Sequence, residues 1–408
     1  MREQSPNYFF GIDIGTSAVR CIVGMPDATS GALSIVGHGQ AKNIGMRRGV
    51  VAHIDDVADA VVQAITEAER VSGVHIASAT INVNGSHIEG MNSKGVVAIS
   101  SDNKEITAND RLRSEEAATI VQLPANREII QVFAKNYRLD GQDNIKDPVG
   151  MKGVRLEVDT HIVTATTPNL RNLDTVLEKS KITASHHTVS SLAAAEAVLN
   201  RQQKESGTLL LDIGAGTTNL VVIEDGEVQH VAVIPVGSMH ITNDLAIGLK
   251  TDLDIAEAVK KRHAQLKSDS SVTVSVAVDK QKHSFSAADI YMITEARIDE
   301  LFDLVEAELK RIKKAQKLPG GVVIVGGGAH LPGIADFCKE KLQLAARVGH
   351  INAISGLVES VEDPRFATAV GLCMLDMLLL PEDSRADAGK PNEGAFGYIT
   401  GLLKRITN

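Results

Sequence analysis

The chain has 408 residues, of which 43% are hydrophobic and 23% charged, and its formal net charge is −9. Such a surface repels phosphate backbones, which argues against general nucleic-acid binding. No uncharged apolar run reaches the roughly 18 residues that a membrane-spanning helix needs, and the N-terminal residues do not resemble a secretory signal. We therefore expect a cytosolic protein with about two to four domains.

The first half of the chain alternates predicted strands and helices, as α/β proteins do. Apolar runs at 8–11 and 19–23 predict two strands joined by a glycine turn. Between 84 and 161, short apolar runs separated by polar turns indicate a small inserted module. Periodicity predicts the other elements, which are helices over 57–71, 109–121, 172–181 and 190–201 and strands over 76–83 and 162–165.

The second half repeats this order. Apolar runs at 209–211 and 220–223 flank a second glycine turn, which again predicts a pair of strands. Further along, the same periodicities predict helices over 252–263 and 287–315 and strands over 272–278 and 322–325. The repetition indicates two related domains.

One phosphate-loop pattern occurs in both halves, and its two aspartates, Asp13 and Asp212, lie 199 residues apart. Glycines let backbone N–H groups close on phosphate oxygens, while Thr and Ser hydroxyls add donors. An aspartate at the end of the preceding strand is suited to hold hydrated Mg²⁺. The phosphate-binding candidates are Gly15, Thr16, Ser17, Gly214, Ala215, Gly216, Thr217, Thr218 and Asn219. The duplication argues against two ordinary β-turns and favours two hairpins that grip one polyphosphate.

A third glycine cluster follows the predicted strand over 322–325. Gly326, Gly327 and Gly328 lack side chains, so a flat adenine or ribose can approach their backbone. An ordinary turn at the start of a helix is the alternative. Neither a GxGxxG fingerprint nor a Walker lysine loop is present, which argues against the dinucleotide-binding and P-loop classes.

Taken in chain order, the two hairpins, the helix over 190–201 and the glycine cluster resemble the actin-like ATPase superfamily. The resemblance implies an α/β fold of two lobes, formed by duplicated ribonuclease-H-like domains with ATP in the cleft between them. It implies that Asp13 and Asp212 organise Mg²⁺ and water, while the glycine cluster holds the adenosine. It also assigns Glu196 to positioning the attacking water, for which a solvated helix charge is the alternative.

The segment from Asp254 to His263 resembles the helix that flanks adenine in the same superfamily. This would place Glu257, Lys260 and Lys261 near the base and the ribose, although a charged surface helix explains the same residues. Gly237 joins the implied nucleotide-binding residues.

Six segments narrow the resemblance further. Three lie in the inserted module, at 127–132, 140–151 and 153–157, and three lie beyond it, at 235–237, 242–248 and 295–297. They resemble the FtsA family, bacterial cell-division homologues of actin, in which the module replaces one of actin's usual subdomains and contributes to contacts between protomers. The first loop of that family often carries a lysine where this chain has Ala18, and Arg20 on the same strand face is our candidate for the missing cation.

This resemblance implies a domain plan. A small α+β insert at 84–161 interrupts the first lobe, whose core comprises 1–83 and 162–205. The remaining predicted regions are a second-lobe core at 206–242 and 318–380, a smaller second-lobe subdomain at 243–317, a linker at 381–394 and a membrane-targeting helix at 395–408.

The last two of these regions differ from the rest in composition. No apolar side chain in 381–394 is larger than alanine or proline, so we expect a flexible linker. An amphipathic helix at 395–408 would lie in the lipid interface with its cations near anionic headgroups, unless it docks back on its own protein. One such helix binds weakly, so polymerisation would raise avidity. Its membrane-facing candidates are Phe396, Ile399, Leu402, Leu403 and Ile406, with Lys404 and Arg405 beside them.

The family resemblance implies an ATP-binding protein with at most slow ATPase activity, which polymerises on the cytoplasmic face of the plasma membrane at the division septum. It would tether the C-terminal tail of tubulin-like FtsZ and recruit later division proteins, without a nucleic-acid partner. Arg297, with Glu300 nearby, is the candidate contact for the acidic tail, and an intrahelical ion pair is the alternative.

Three other assignments use related scaffolds. A sugar or acetate kinase needs a dedicated substrate base, for which we find no candidate. A DnaK-type chaperone needs a peptide-binding domain, and the 14 residues after the linker are too few. A pilus-assembly homologue of the PilM type shares the idea of an inserted module, but the segment at 141–151, GQDNIKDPVGM, favours the FtsA family.

Overall fold

A computed structural model describes residues 7–27, 29–267 and 272–379 of the chain. The first lobe begins with a meander of three antiparallel strands, in which neighbours in sequence are neighbours in the sheet. These elements and those that follow them are β1 (Phe9–Ile14), β2 (Ala18–Pro26), β3 (Leu33–Lys42), β4 (Met46–Arg47), β5 (Val50–Val51), α1 (Ile54–Ser72) and β6 (Ser78–Val83).

An insert with its own sheet follows β6. Its elements are β7 (Glu89–Ala98), α2 (Ala108–Ala118), β8 (Arg127–Leu139), β9 (Gln142–Ile145) and β10 (Arg155–Thr166). The strand order is β7-β10-β8-β9, with antiparallel neighbours throughout, and α2 packs against β7 and β10. The chain then continues through α3 (Thr167–Lys179), β11 (Thr183–Val189), α4 (Ser190–Val198) and α5 (Arg201–Ser206).

The second lobe also begins with a three-stranded meander. It consists of β12 (Thr208–Ile213), β13 (Thr218–Glu224) and β14 (Glu227–Ile234). Helices and a small hairpin follow as α6 (Ser238–Gly248), α7 (Leu253–His263), β15 (Thr273–Val278), β16 (Gln281–Ser286) and α8 (Ala287–Arg311). The remaining elements are β17 (Gly321–Val325), α9 (Ile334–Leu342), β18 (Ala346–Val348), β19 (Ile354–Gly356), α10 (Val358–Val361) and α11 (Ala367–Leu378), with 3₁₀ turns at Gly327–His330 and Pro364–Phe366.

The two large sheets repeat one topology. The first runs β11-β6-β1-β2-β3-β19, and the second runs β14-β13-β12-β17-β18. In each sheet an antiparallel meander is extended beside its first strand by two parallel strands. The internal repeat predicted from the two glycine turns is therefore present in the fold.

The strand β10 runs across the boundary predicted between the insert and the first lobe at 161/162. The apolar run at 162–165 belongs to β10, which pairs with β7 and β8 along its length. Leu156 and Val158 lie in the core of the insert, whereas Val163 and Ala165 lie in the large core of the first lobe. One strand therefore spans both cores, and burial alone does not mark the boundary.

The last elements of the segment 318–380, which is predicted to belong to the second lobe, pack on the first lobe instead. The strand β19 pairs with β3, and α11 packs on β1 and α4, so the chain returns to the first lobe after β18. Asp376 secures this return, because its carboxylate accepts hydrogen bonds from Thr80 Oγ1 at 2.7 Å and from the Phe10 N–H at 3.0 Å. A carboxylate in this apolar helix serves as an anchor between elements distant in sequence.

Most helix predictions are confirmed within a few residues. The helix predicted over 57–71 is α1, and the one predicted over 252–263 is α7. The helix predicted over 190–201 is two helices, because Asn200 begins α5 with a capping box. Within the residues described, no helix is long and apolar enough to cross a membrane. The linker and tail predictions at 381–408 lie outside the described residues.

Candidate functional site

The two glycine turns have the same hydrogen-bonding pattern. The Gly15 N–H donates to the carbonyl of Ala18 at 3.1 Å, and the Gly214 N–H donates to the carbonyl of Thr217 at 2.9 Å. Across the paired strands, Asp13 lies opposite Arg20 and Asp212 lies opposite Asn219. Arg20 and Asn219 therefore occupy equivalent positions in the two hairpins.

The two turns face each other across the cleft. A Cβ added to Gly216 would lie 2.8 Å from Thr16 Oγ1, so only glycine fits at this approach. Thr217 Oγ1 donates to Asn84 Oδ1 at 3.3 Å, which links the second hairpin to the residue just after β6. Thr16 Oγ1 accepts a hydrogen bond from the Gly49 N–H at 3.1 Å. The structure thus brings the two predicted phosphate loops together.

Backbone donors at the tips of both turns are free to bind an anion. Within the described residues, no acceptor is hydrogen-bonded to the N–H groups of Thr16, Ser17, Ala215 or Gly216. Consecutive N–H groups of this kind form an anion-binding concavity. Thr218 is different, because its hydroxyl donates to the Val236 carbonyl at 2.8 Å inside the second sheet. The phosphate contact predicted for Thr218 stays a prediction. This hydrogen bond argues against it, because the hydroxyl proton is already donated to the protein.

Asp13 is buried and held by side chains. Asn82 Nδ2 donates to its Oδ1 at 2.8 Å, and Arg20 Nη1 lies 3.7 Å from its Oδ2. The same amide nitrogen donates to Ser190 Oγ at 3.0 Å. Burial raises the pKa of Asp13 to about 7, an effect that Arg20 opposes and the nearby Asp212 carboxylate increases. The two carboxylates are close enough to repel each other, so a cation between them would be stabilised.

Arg20 is the buried cation of the site. Its guanidinium lies over the ring of Phe366, 5.4 Å from the centroid. Burial lowers the pKa of Arg20, while both Asp13 and Asp212 raise it. The Nε of Arg20 is buried and has no hydrogen-bond partner among the described residues. An unpaired buried donor costs stability, and a phosphate oxygen would satisfy it.

Asp212 is held differently, by one hydroxyl and a close backbone. Thr368 Oγ1 donates to its Oδ2 at 3.1 Å. Gly326 has φ +81°, and a Cβ added there would lie 2.3 Å from Asp212 Oδ1. Burial raises the pKa of Asp212, an effect that Thr368 and Arg20 oppose. The glycine cluster therefore lies directly beside the second aspartate.

The candidate metal ligands of the site are two carboxylates, those of Asp13 and Asp212. Among residues 7–27, 29–267 and 272–379, no group of three or more His, Cys, Asp or Glu side chains is arranged to hold a metal ion. Mg²⁺ commonly keeps several waters and binds through one or two carboxylates together with phosphate oxygens. Asp13 and Asp212 fit this mode and do not form an all-protein cage.

The residues predicted to flank adenine lie behind the second hairpin. The N–H of Ser238, at the start of α6, donates to the Gly214 carbonyl at 2.9 Å. Lys260 Nζ donates to the Ser238 carbonyl at 3.2 Å and lies 2.6 Å from Glu257. Lys261 is exposed and lies 3.3 Å from the same carboxylate. Gly237 lies against the turn, because an added Cβ would meet the Ala215 carbonyl oxygen at 2.7 Å.

Within the part of the chain that the structure describes, the carboxylate of Glu196 makes no hydrogen bond to a residue that holds Asp13 or Asp212. Its carboxylate lies 2.6 Å from Lys204 Nζ. The residue of α4 that contacts the site is Ser190, and Glu196 lies roughly 9 Å further along the helix axis. The role predicted for Glu196 in positioning water stays a prediction, and this ion pair favours a structural role.

Arg297 has partners within its own subdomain. Its Nη2 donates to Asp244 Oδ1 at 3.0 Å and its Nη1 donates to Glu300 Oε2 at 2.6 Å. These contacts join α8 to α6. The predicted binding of a partner's tail at Arg297 and Glu300 would have to displace Asp244.

Sequence reasoning missed Asn82 and Thr368, the two neutral side chains that hold the aspartates. Asn82 interrupts the apolar run of β6, and Thr368 interrupts the apolar start of α11. A polar residue within a buried element must find a hydrogen-bond partner, so this interruption was a usable signal. The membrane-facing residues predicted between 396 and 406 lie outside the described residues.

Solved structures share the fold at low sequence identity. A chain of a PilM–PilN type IV pilus biogenesis complex aligns with a TM-score of 0.64 and 17% identity, covering 90% of this chain and 98% of that chain. MreB5 of Spiroplasma citri bound to ADP aligns with a TM-score of 0.57 and 14% identity, covering 91% and 97%. With the duplicated lobes and facing hairpins, these alignments confirm the predicted actin-like α/β fold with an inserted subdomain.

Sequence relatives define the family. Residues 209–371 match the model for cell division protein FtsA, and residues 85–164 match the SHS2 domain inserted in FtsA. The FtsA of Bacillus subtilis is 37% identical over 369 residues, which cover 89% of this chain and 82% of that protein. The FtsA of Pseudomonas aeruginosa is 34% identical over 376 residues, covering 91% and 89%. The chain belongs to the FtsA family of cell division proteins.

Proposed function

We propose that the chain binds ATP with Mg²⁺ in the cleft between the two hairpins. The observation that carries the proposal is the set of unused donors, namely the turn N–H groups and the buried Nε of Arg20, beside two close carboxylates. Phosphate oxygens would accept from these donors. Asp13 and Asp212 would hold the hydrated metal ion, which would neutralise charge on the phosphates.

The adenosine would lie along the glycine cluster at 326–328. Gly327 supports this placement, since an added Cβ at that residue would have open space around it. Gly326 and Gly328 are tightly packed on Asp212 and Ile213, which fixes the backbone beside the metal site. Glu257, Lys260 and Lys261 would lie towards the base and the ribose. We expect hydrolysis to be at most slow.

The nucleotide proposal is tested by the melting temperature of the full chain with and without Mg-ATP. A ligand that binds the folded state stabilises it by RT ln(1 + [L]/Kd), so saturating Mg-ATP should raise the melting temperature. Asp212→Asn and Arg20→Met should each reduce this shift. Arg70→Met, on an exposed position of α1, should leave it unchanged. A melting curve that Mg-ATP does not move in the unmodified chain contradicts the proposal.

We further propose that the chain polymerises on the cytoplasmic face of the plasma membrane at the division septum, tethers the FtsZ C-terminal tail and recruits later division proteins. Membership of the FtsA family and the amphipathic pattern at 395–408 support this proposal. Weak membrane binding by one helix would become strong along a polymer, because many helices engage together. Polymerisation and membrane attachment would therefore be coupled.

Liposome co-sedimentation tests the membrane step. Deleting 395–408, or replacing Leu402 and Leu403 with Asp, should abolish sedimentation with vesicles and leave the melting curve unchanged, because a carboxylate on the apolar face must be desolvated. Neutralising Lys404 and Arg405 should weaken binding to anionic vesicles more than to zwitterionic ones. If the truncated chain still sediments with vesicles, the membrane contact lies elsewhere.

The proposed FtsZ contact at Arg297 is tested by charge reversal. Arg297→Glu should weaken binding of an FtsZ tail peptide while Mg-ATP still raises the melting temperature. Asp244→Ala removes the competing intramolecular acceptor and its charge, and should strengthen peptide binding. Unchanged peptide affinity in both variants would remove Arg297 and Glu300 from the interface.

A further inference from the structure

A cavity of about 400 Å³ lies between the sheet of the insert and the second lobe, away from the hairpins. It is bounded by β7, β8 and β10 on one side, and by β14 and the end of α8 on the other. None of the lining residues is an aspartate or glutamate. The lining residues that carry a cationic group or an imidazole are Lys135, His161, His230, Arg311, Lys313 and Lys314.

Two of these cations have no counter-ion in direct contact among the described residues. No ion pair or hydrogen bond joins the ammonium of Lys135 or Lys313 to another residue in the part of the chain that the structure describes. Lys314 is paired with Glu224, and Arg311 Nη2 lies 2.7 Å from Glu308. The nearest acid acting on Lys135 from its own sheet is Asp159, which lies 3.2 Å from Lys94. The cavity therefore retains positive charge after the local ion pairs form.

The imidazole of His161 is neutral and adds a fixed dipole to the wall. Its Nε2 accepts the Val231 N–H at 3.0 Å, so its proton is on Nδ1, which donates to Asn92 Oδ1 at 2.9 Å. The pKa of His161 is lowered to about 3, first by burial and then by His230, Lys135 and Arg311. Burial also lowers the pKa of Lys135, an effect that Asp159 and Glu224 oppose and Lys314 increases.

We propose that this cavity is a second anion site, which binds a small soluble polyphosphate. Ammonium and guanidinium groups make strong charge-assisted hydrogen bonds to phosphate oxygens, and a desolvated cation gains most from such a partner. The cavity volume is at the low end for small-molecule sites. The wall offers two imidazoles and no larger aromatic ring for a base, so a compact polyanion fits better than a nucleoside.

Occupancy of this site would join two parts of the protein. Lys135 belongs to the insert, whereas Lys313 and Lys314 follow α8 in the second lobe. A multivalent anion that contacts both groups would stabilise the packing of the insert on β14. None of the residues that line the cavity belongs to either hairpin, so binding here is separable from the proposed nucleotide site.

The experiment titrates the full chain with inorganic pyrophosphate by calorimetry in EDTA, which removes Mg²⁺. Lys135→Met and Lys313→Met should each weaken pyrophosphate binding by about tenfold, the loss of one charge-assisted contact. Lys317→Met, an exposed lysine four positions beyond Lys313 and outside the cavity, is the matched control and should bind as the unmodified chain does. Lys313 is itself exposed, so its replacement tests the site without endangering the fold.

A local readout separates this cavity from the hairpins. Pyrophosphate at saturation should slow acylation of Lys135 by an amine-reactive ester by about fivefold or more, as measured by mass spectrometry. The reason is that a bound anion favours the protonated, unreactive form of the amine and also covers it. Arg20→Met should leave that protection intact. Equal affinity in all three lysine variants, or protection that Arg20→Met abolishes, would overturn the proposal. Protection by phosphatidylglycerol vesicles but not by pyrophosphate would overturn the assignment to a soluble anion.

Discussion

The two hairpins share a topology and differ in how each holds its aspartate. In the first lobe, Asp13 is held by side chains, the amide of Asn82 and the guanidinium of Arg20. In the second lobe, Asp212 is held by the hydroxyl of Thr368 and by the close backbone of Gly326. The position equivalent to Arg20 is Asn219, so the second hairpin lacks the cation.

This difference shows that the duplicated lobes contribute different chemistry to one cleft. The first lobe supplies fixed positive charge beside a carboxylate whose pKa is raised to about 7. In the second lobe, Gly326 brings the backbone close to Asp212, whereas Gly327 leaves open space beside it. A symmetric pair of hairpins could grip phosphates, and in the proposed nucleotide complex the open space at Gly327 would also admit a flat group on one side.

The largest effect should come from adding a side chain where the backbone of the second lobe lies closest to Asp212. Gly326→Ala forces an L-residue to φ +81° and places its Cβ 2.3 Å from Asp212 Oδ1. We expect it to lower the free energy of unfolding by about 2–4 kcal/mol, measured by chemical denaturation. Gly327→Ala meets open space and is the matched control, with a change below about 1 kcal/mol. Equal losses in the two variants would contradict the close approach at Gly326.

The next effect compares the two neutral residues that hold the aspartates. Asn82→Ala removes the donor to Asp13 and the acceptor for the Ile14 N–H at 2.7 Å, so it should cost about 2–3 kcal/mol of unfolding free energy. Thr368→Val removes a single bond to Asp212 and should cost about 1 kcal/mol. Denaturation of both variants checks the order. A larger loss for Thr368→Val would reverse our account of which aspartate depends on side chains.

The hairpins and their strands were predictable from sequence because glycine turns between apolar runs leave a strong local pattern. The pairing of Arg20 with Asp13 was also within reach, since both lie near one turn in adjacent strands. The actin-like fold followed from the order of these motifs along the chain. The hairpins and the ion pair depend on residues that are close in sequence, whereas the fold was inferred from the resemblance in the order of local motifs.

The remaining features depend on contacts between distant segments. The return of α11 to the first lobe is fixed by Asp376 bonding to Thr80 and Phe10, which no local pattern reveals. The strand β10 crosses from one core to another, and the start of its apolar run at 162 falls within the strand and not at its beginning. Glu196 was chosen because an acid in an apolar helix is unusual, yet its partner Lys204 lies in the next helix. An unusual residue indicates that a partner exists without identifying it.

The contact between the insert and the second lobe should make stability depend on pH. The pKa of His161 is lowered to about 3 and that of His87 to about 4, so below about pH 6.5 each of these histidines binds fewer protons in the folded chain than in the unfolded chain. The contribution of each histidine to stability is complete above that pH and is lost as the pH drops towards its folded-state pKa. The raised pKa of Asp13 acts in the opposite direction, so comparison with a histidine variant isolates the histidine contribution. The groups that face His161 are His230, Lys135, Arg311, Asn92 and the Val231 N–H.

From about pH 6.5 to about pH 5.5, each histidine should lower the free energy of unfolding by about 1 kcal/mol. Denaturation across this range measures the loss. His161→Gln should remove the part of this pH-dependent loss that His161 contributes and keep the part that His87 contributes. A pH dependence that is unchanged in His161→Gln would show that His161 does not lie neutral between the insert and the second lobe.

The smallest effect distinguishes two neighbouring lysines behind the second hairpin. Lys260 donates to Thr242 Oγ1 at 2.8 Å and to the Ser238 carbonyl at 3.2 Å, so it joins α7 to the start of α6. Lys261 is mostly exposed, and its one contact among the described residues is the ion pair with Glu257. Lys260→Met should therefore cost about 0.5–1 kcal/mol of unfolding free energy, whereas Lys261→Met should cost less than about 0.5 kcal/mol because exposed pairs contribute little. Denaturation at low and high salt checks this order, since salt should reduce only the small contribution of Lys261. If both losses are equal and vanish in salt, Lys260 does not secure the helix that supports the second phosphate loop.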